Sequence, residues 1–140
     1  MGTFADIVKN VGTAVSTRVT GANYYDYPPD SPSQFPAIIV TLVSVDPTPV
    51  FSGNSFEGTL RITCITERAE NREAWVRLYS YMDSTGSGTS VLAALRADPR
   101  FGSAVDSSEI ARVENIGKRE LGGGFYIGFD VLVPFIRAVP

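Results

Sequence analysis

Residues able to do chemistry are few in this chain, and their spacing narrows what they could do. Carboxylates gather at Glu67, Glu70, Glu73 and Asp83, where pairs could share a proton in acid–base work or hold a hard cation through oxygen. Gly86-Ser87-Gly88-Thr89-Ser90 precedes a helix-like run, and backbone amides at a helix start attract anions. The run lacks the lysine of a phosphate-binding P-loop and the strand that must precede one, so it reads as a flexible connector. Cys64 is the single cysteine and histidine is absent. Intrachain disulfides, four-cysteine zinc sites, nucleophile–histidine pairs and the commonest general base are thereby removed together. The carboxylates read most simply as solvated helix and strand ends. No enzyme activity, cofactor or metal is expected.

The 140 residues are 44% hydrophobic and 19% charged, with a net charge of -3. This fits a single domain spanning 1–140 and argues against long disordered tails or a strongly basic nucleic-acid binder. Arginine greatly outnumbers lysine, which occurs only at Lys9 and Lys118. Guanidinium groups pair bidentately with carboxylates and suit protein interfaces, although a GC-rich coding sequence produces the same bias. No apolar run reaches the ~20 residues of a membrane helix, and no basic region with an apolar run opens the chain. A soluble protein without a secretion signal is expected, with no membrane partner.

Phe4, Ile7, Val8, Val11 and Val15 share one helical face behind Thr3, with Asp6 placed for a capping box. A first helix is therefore expected from Phe4 to about Arg18. Thr20 to Pro36, rich in proline and aromatics, reads as a long irregular connection. Ala37 to Val45 reads as a strand buried on both faces. Phe56 to Cys64 alternates with period two, the clearest strand pattern in the chain. Trp75, Leu78, Tyr79 and Met82 form a stripe that a helix from about Arg72 to Met82 buries, capped by Asn71. Ser90 or Thr89 can cap a short helix that Pro99 stops. Ile110 to Arg119 and Phe125 to Phe135 read as two strands joined at Gly122-Gly123-Gly124. The sum is an α+β domain in the order α-β-β-α-α-β-β, with an antiparallel or mixed sheet of about four strands and helices packed on one face.

The central stretch carries a resemblance. Asn71-Arg72-Glu73-Ala74, Leu78-Tyr79-Ser80-Tyr81-Met82, Ser84-Thr85-Gly86-Ser87-Gly88, Val91-Leu92-Ala93-Ala94-Leu95 and Ala97-Asp98-Pro99 resemble the tail terminator proteins of long-tailed phages, especially those infecting actinobacteria. Tyr24-Tyr25-Asp26-Tyr27-Pro28 resembles the aromatic run that such proteins place before their first strand.

The resemblance implies a non-enzymatic virion protein at the head-proximal end of the tail, present in the host cytoplasm during assembly. As a homo-oligomer, a hexameric ring, it would cap the tail tube protein, stop tube growth and offer a surface to the head–tail connector protein. A ring needs two unlike patches that meet head to tail. Candidate subunit-interface residues are Glu67, Arg68, Glu70 and Arg72, the polar strand with Arg112, Glu114 and Arg119, and the aromatic loop with Tyr24, Tyr25 and Tyr27. The hairpin loop with Val50, Phe51 and Asn54 is the candidate tube contact, because its apolar residues need a partner. A mildly acidic ring also suits a channel through which DNA slides without specific binding. The alternatives are another neck component, such as a head–tail joining or tail completion protein, and a small-molecule-binding α+β domain with a pocket lined by Trp75 and Tyr79.

Overall fold

Apolar spacing sets the helices. In α1 (Phe4–Arg18) the buried residues Ile7, Val11, Ala14 and Val15 fall on one stripe, as a 3.6-residue period demands. The helix α2 (Arg72–Met82) turns Leu78 into the core. In α3 (Val91–Ala97) the Ser90 hydroxyl accepts a hydrogen bond from the Ala93 amide at 3.1 Å, so Ser90 is its N-cap. The computed structural model describes residues 4–19, 23–25, 37–46, 56–68, 72–82, 90–97, 99–101, 105, 107–121 and 124–137.

The strands are β1 (Asn23–Tyr25), β2 (Ala37–Asp46), β3 (Phe56–Arg68), β4 (Ser107–Ser108), β5 (Arg112–Leu121) and β6 (Gly124–Arg137). They form one mixed sheet of six strands in the order β1-β2-β3-β6-β4, with β5 also on β6. β1 runs parallel to β2, and all other pairings are antiparallel. β4 and β5 occupy the same edge of β6 in turn, β4 at Phe135 and Ile136 and β5 from Leu132 back to Gly124. The fold is α+β with three helices and a mixed sheet.

Two sequence expectations change here. The sheet has six strands rather than about four, because β1 forms inside the stretch read as irregular and the two-residue β4 precedes β5. Three residues among prolines carry no period of their own, and β1 exists through its pairing with β2. The second half of β2 is also less buried than expected. Ala37 to Val40 are buried, but a bulge between Leu42 and Ser44 carries Val43 and Ser44 out to solvent.

The main core lies between the sheet and the helices. Ile7, Val11 and Val15 of α1, Leu78 of α2, and Val91 and Leu95 of α3 join Ile38, Val40, Leu60, Ile62, Phe129 and Val131 of the sheet. Alternation sends the neighbouring residues to the other face. There Ala37, Ile39, Ile65 and Tyr126 form a second small cluster with Tyr25 against it.

Candidate functional site

The helix-free face of the sheet carries one concentrated group of polar residues, centred on Asp130. Register puts Thr63 of β3, Asp130 of β6 and Glu114 of β5 side by side. Asp130 is 4% exposed. Its Oδ1 accepts the Thr63 hydroxyl at 2.7 Å and pairs with Arg119 Nη1 at 3.1 Å. Its Oδ2 accepts Asn115 Nδ2 at 2.8 Å and lies 3.8 Å from Arg61 Nε. That Arg61 nitrogen is buried and makes no hydrogen bond. Burial pushes the Asp130 carboxyl up, but the hydrogen bonds from Asn115 and Thr63 and the Arg119 guanidinium outweigh it, leaving the group below its ordinary range.

This cluster fixes an irregularity in β5. The register slips between Glu114 and Gly117, so Asn115 and Ile116 together stand opposite the single residue Phe129 of β6, a bulge of one extra residue. Asn115 has φ 54° and Gly117 has φ 136°, left-handed backbone that asparagine and glycine tolerate best. Asn115 is anchored from both sides: its amide reaches Asp130, and its carbonyl accepts Arg119 Nη2 at 3.0 Å. The Asp130 carboxylate is engaged by these partners at the base of a shallow depression lined by Asn115, Ile116, Lys118 and Arg119. It is a clamp across β3, β6 and β5.

The other sequence-selected residues fall as follows. Arg112 Nε donates to Glu114 Oε2 at 3.0 Å on exposed ground. Arg68 and Arg119 both stand opposite Tyr126, on its two sides, and Glu67 stands opposite Ile127. The charged end of β3 and the polar strand β5 therefore converge on one end of the sheet. Arg72 opens α2 and is exposed.

Tyr24 belongs to the interior packing: its hydroxyl donates to the Val8 carbonyl at 3.1 Å, and its ring lies against Gly12. Tyr25 packs on the second cluster. Glu70, Tyr27, Val50, Phe51 and Asn54 lie outside the described residues.

The α2 stripe also needs correction. Leu78 is buried and Trp75 is half-buried, but Tyr79 is 55% exposed. Trp75 sits over Gly117 of β5 at the sheet's edge, and Met82 packs on the main core with Leu78, so only Tyr79 of the stripe faces out. None of the described depressions is lined by Trp75 or Tyr79.

Among the described residues no group of three His, Cys, Asp or Glu side chains could hold a metal. Cys64 is fully buried and burial pushes its thiol well above the ordinary range, so it remains a neutral core residue. No described helix is long and apolar enough to cross a membrane.

Sequence reasoning missed the clamp. Asp130 interrupts the apolar run Phe129 to Val133, and that lone acid in a core strand is the signal that could have found it.

The structure defines a small α+β domain with a polar clamp on its sheet. No protein-family model matches the chain, and no curated protein matches it in sequence.

Proposed function

We propose that this protein is a structural component of a phage tail, a ring that caps the tail tube, ends its polymerisation and offers a surface for joining to the head. The observation that carries this reading is the central helical pair. The residues whose wording resembles tail terminators, Asn71 to Pro99, include α2 and α3, and α2 leaves Val76 and Tyr79 exposed. The polar groups of the domain also suit assembly. Among the described residues the buried carboxylate of the sheet, Asp130, is spent on rigidity, and arginine outnumbers lysine among the cations.

Depletion of the protein during phage production tests the reading. Overlong or unfinished tails, seen by electron microscopy, are expected. Finished tails detached from filled heads would assign the protein to the head–tail joining step instead. Normal particles would remove it from tail assembly altogether.

A further inference from the structure

The clamp on the sheet leaves one positive charge unmatched. Asp130 faces two guanidinium groups, Arg119 and Arg61, while the neighbouring Arg112 and Glu114 pair with each other. Three guanidiniums therefore stand against two carboxylates, on a chain whose net charge is -3.

The excess falls on Arg61. Arg119 gives Nη1 to Asp130 and Nη2 to the Asn115 carbonyl, and Arg112 gives Nε to Glu114. Arg61 Nε is 3.8 Å from Asp130 Oδ2, beyond hydrogen-bond reach, and that oxygen already accepts Asn115 at 2.8 Å. The Arg61 atom is buried and donates to nothing among the described residues. A charged donor withdrawn from water without an acceptor is costly, and folded proteins retain few of them. Although its Nε is covered, the Arg61 side chain is 40% exposed, so a small group reaches it from solvent. Arg61 on β3 and Arg112 on β5 both stand opposite Leu132, which puts their Cα atoms about 10 Å apart on the helix-free face. Arg112 is 66% exposed and flanks the same spot.

We infer that a carboxylate from outside the chain binds at Arg61 and completes this cluster. A guanidinium matches a planar carboxylate through two parallel N–H bonds. A monoanion also fits the excess of one charge. A dianion such as phosphate would be repelled more strongly by Asp130 and Glu114 beside it. The next acid along this face of β3, Glu57, is exposed and four residues from Arg61, about 13 Å and outside the screening length at physiological salt. The inference does not rest on the ring reading. A free organic acid and an acidic side chain of a second copy offer the same chemistry at Arg61.

The test is a heteronuclear NMR titration of the intact chain that follows the Arg61 Nε–H signal, assigned by its loss in Arg61→Lys. Sodium acetate is the probe, added at constant ionic strength, with chloride and phosphate as comparisons. A saturable shift in the millimolar range is expected with acetate, as a few charge-assisted hydrogen bonds give. In acetate-free protein, a shift that grows with protein concentration and is competed by acetate would place the carboxylate on a second copy. A shift that needs added acetate would place it on a free acid. Either result supports the site. No shift in either series, or an equal shift with chloride, would overturn the proposal and leave Arg61 as a water-capped member of the clamp. Phosphate binding more tightly than acetate would overturn the assignment to a carboxylate.

Glu114→Gln gives an independent check. It raises the local excess of positive charge, so acetate should bind severalfold more tightly, which a purely structural Arg61 would not produce. Unchanged acetate affinity in this variant would put the binding elsewhere and sink the proposal.

Discussion

Tyr24 closes over Gly12. The tyrosine ring fills the space that a Cβ on Gly12 would need, and its hydroxyl bonds the Val8 carbonyl one turn earlier. This contact explains a glycine in the middle of α1, where glycine alone costs about 1 kcal/mol relative to alanine.

Gly12→Ala is expected to lower stability by about 1–3 kcal/mol, because overpacking outweighs the gain in helix propensity. In a Tyr24→Ala background the same change should stabilise. Urea unfolding of the four proteins measures both effects, and a stabilising Gly12→Ala in the native background would show that the ring is free to move.

Asp130→Asn should destabilise by on the order of 2–3 kcal/mol, since it removes charge-assisted hydrogen bonds and leaves two arginines facing a neutral group. The sign of the pH dependence follows from the lowered carboxyl. Asp130 contributes its stability above the ordinary aspartate range, and this is lost as pH falls through its depressed folded value. Melting temperature should therefore fall on acidification below about pH 4, by a smaller amount in Asp130→Asn. Identical acid profiles would assign the acid sensitivity to other carboxylates.

The two sheet glycines should respond differently. A Cβ at Gly128 meets the backbone carbonyl of Cys64, whereas one at Gly58 meets mainly the Phe135 ring. A ring can rotate or shift and a neighbouring strand cannot, so Gly128→Ala should cost more than Gly58→Ala, by roughly 1 kcal/mol or more. Equal denaturation midpoints would count against the close approach of β3 and β6.

Cys64 offers a direct probe of opening. Its thiol is buried and stays protonated, so reaction with a thiol reagent should track unfolding of the β3–β6 region rather than the reagent's own pH profile. Fast labelling at neutral pH in the absence of denaturant would mean that β3 separates from its neighbours far more readily than the core packing implies.

Strong local periods were legible in the sequence. The ranges expected for the first two helices coincide with α1 and α2, because their stripes repeat over several turns. The hairpins β2–β3 and β5–β6 were legible as alternation interrupted by turn formers. β1 was not, since three residues carry no period and depend on a partner distant in sequence. The Asp130 clamp was hidden for a similar reason: Thr63, Asn115 and Asp130 meet only through the register of three strands. Tyr24 illustrates the opposite error. An aromatic residue in a proline-rich stretch looks available for a partner, yet it is spent on the glycine that its own helix carries.

The order of the sheet also bears on how the chain is made. β6 lies between β3 on one side and β4 with β5 on the other, yet it follows all of them in sequence. During synthesis β3 must therefore wait with its longest edge unpaired, and β5 has no place to dock, until β6 leaves the ribosome. The helices and the β2–β3 hairpin can assemble early, but the middle of the sheet closes in one late event. That interval exposes an apolar strand edge to mispairing with a neighbouring nascent chain.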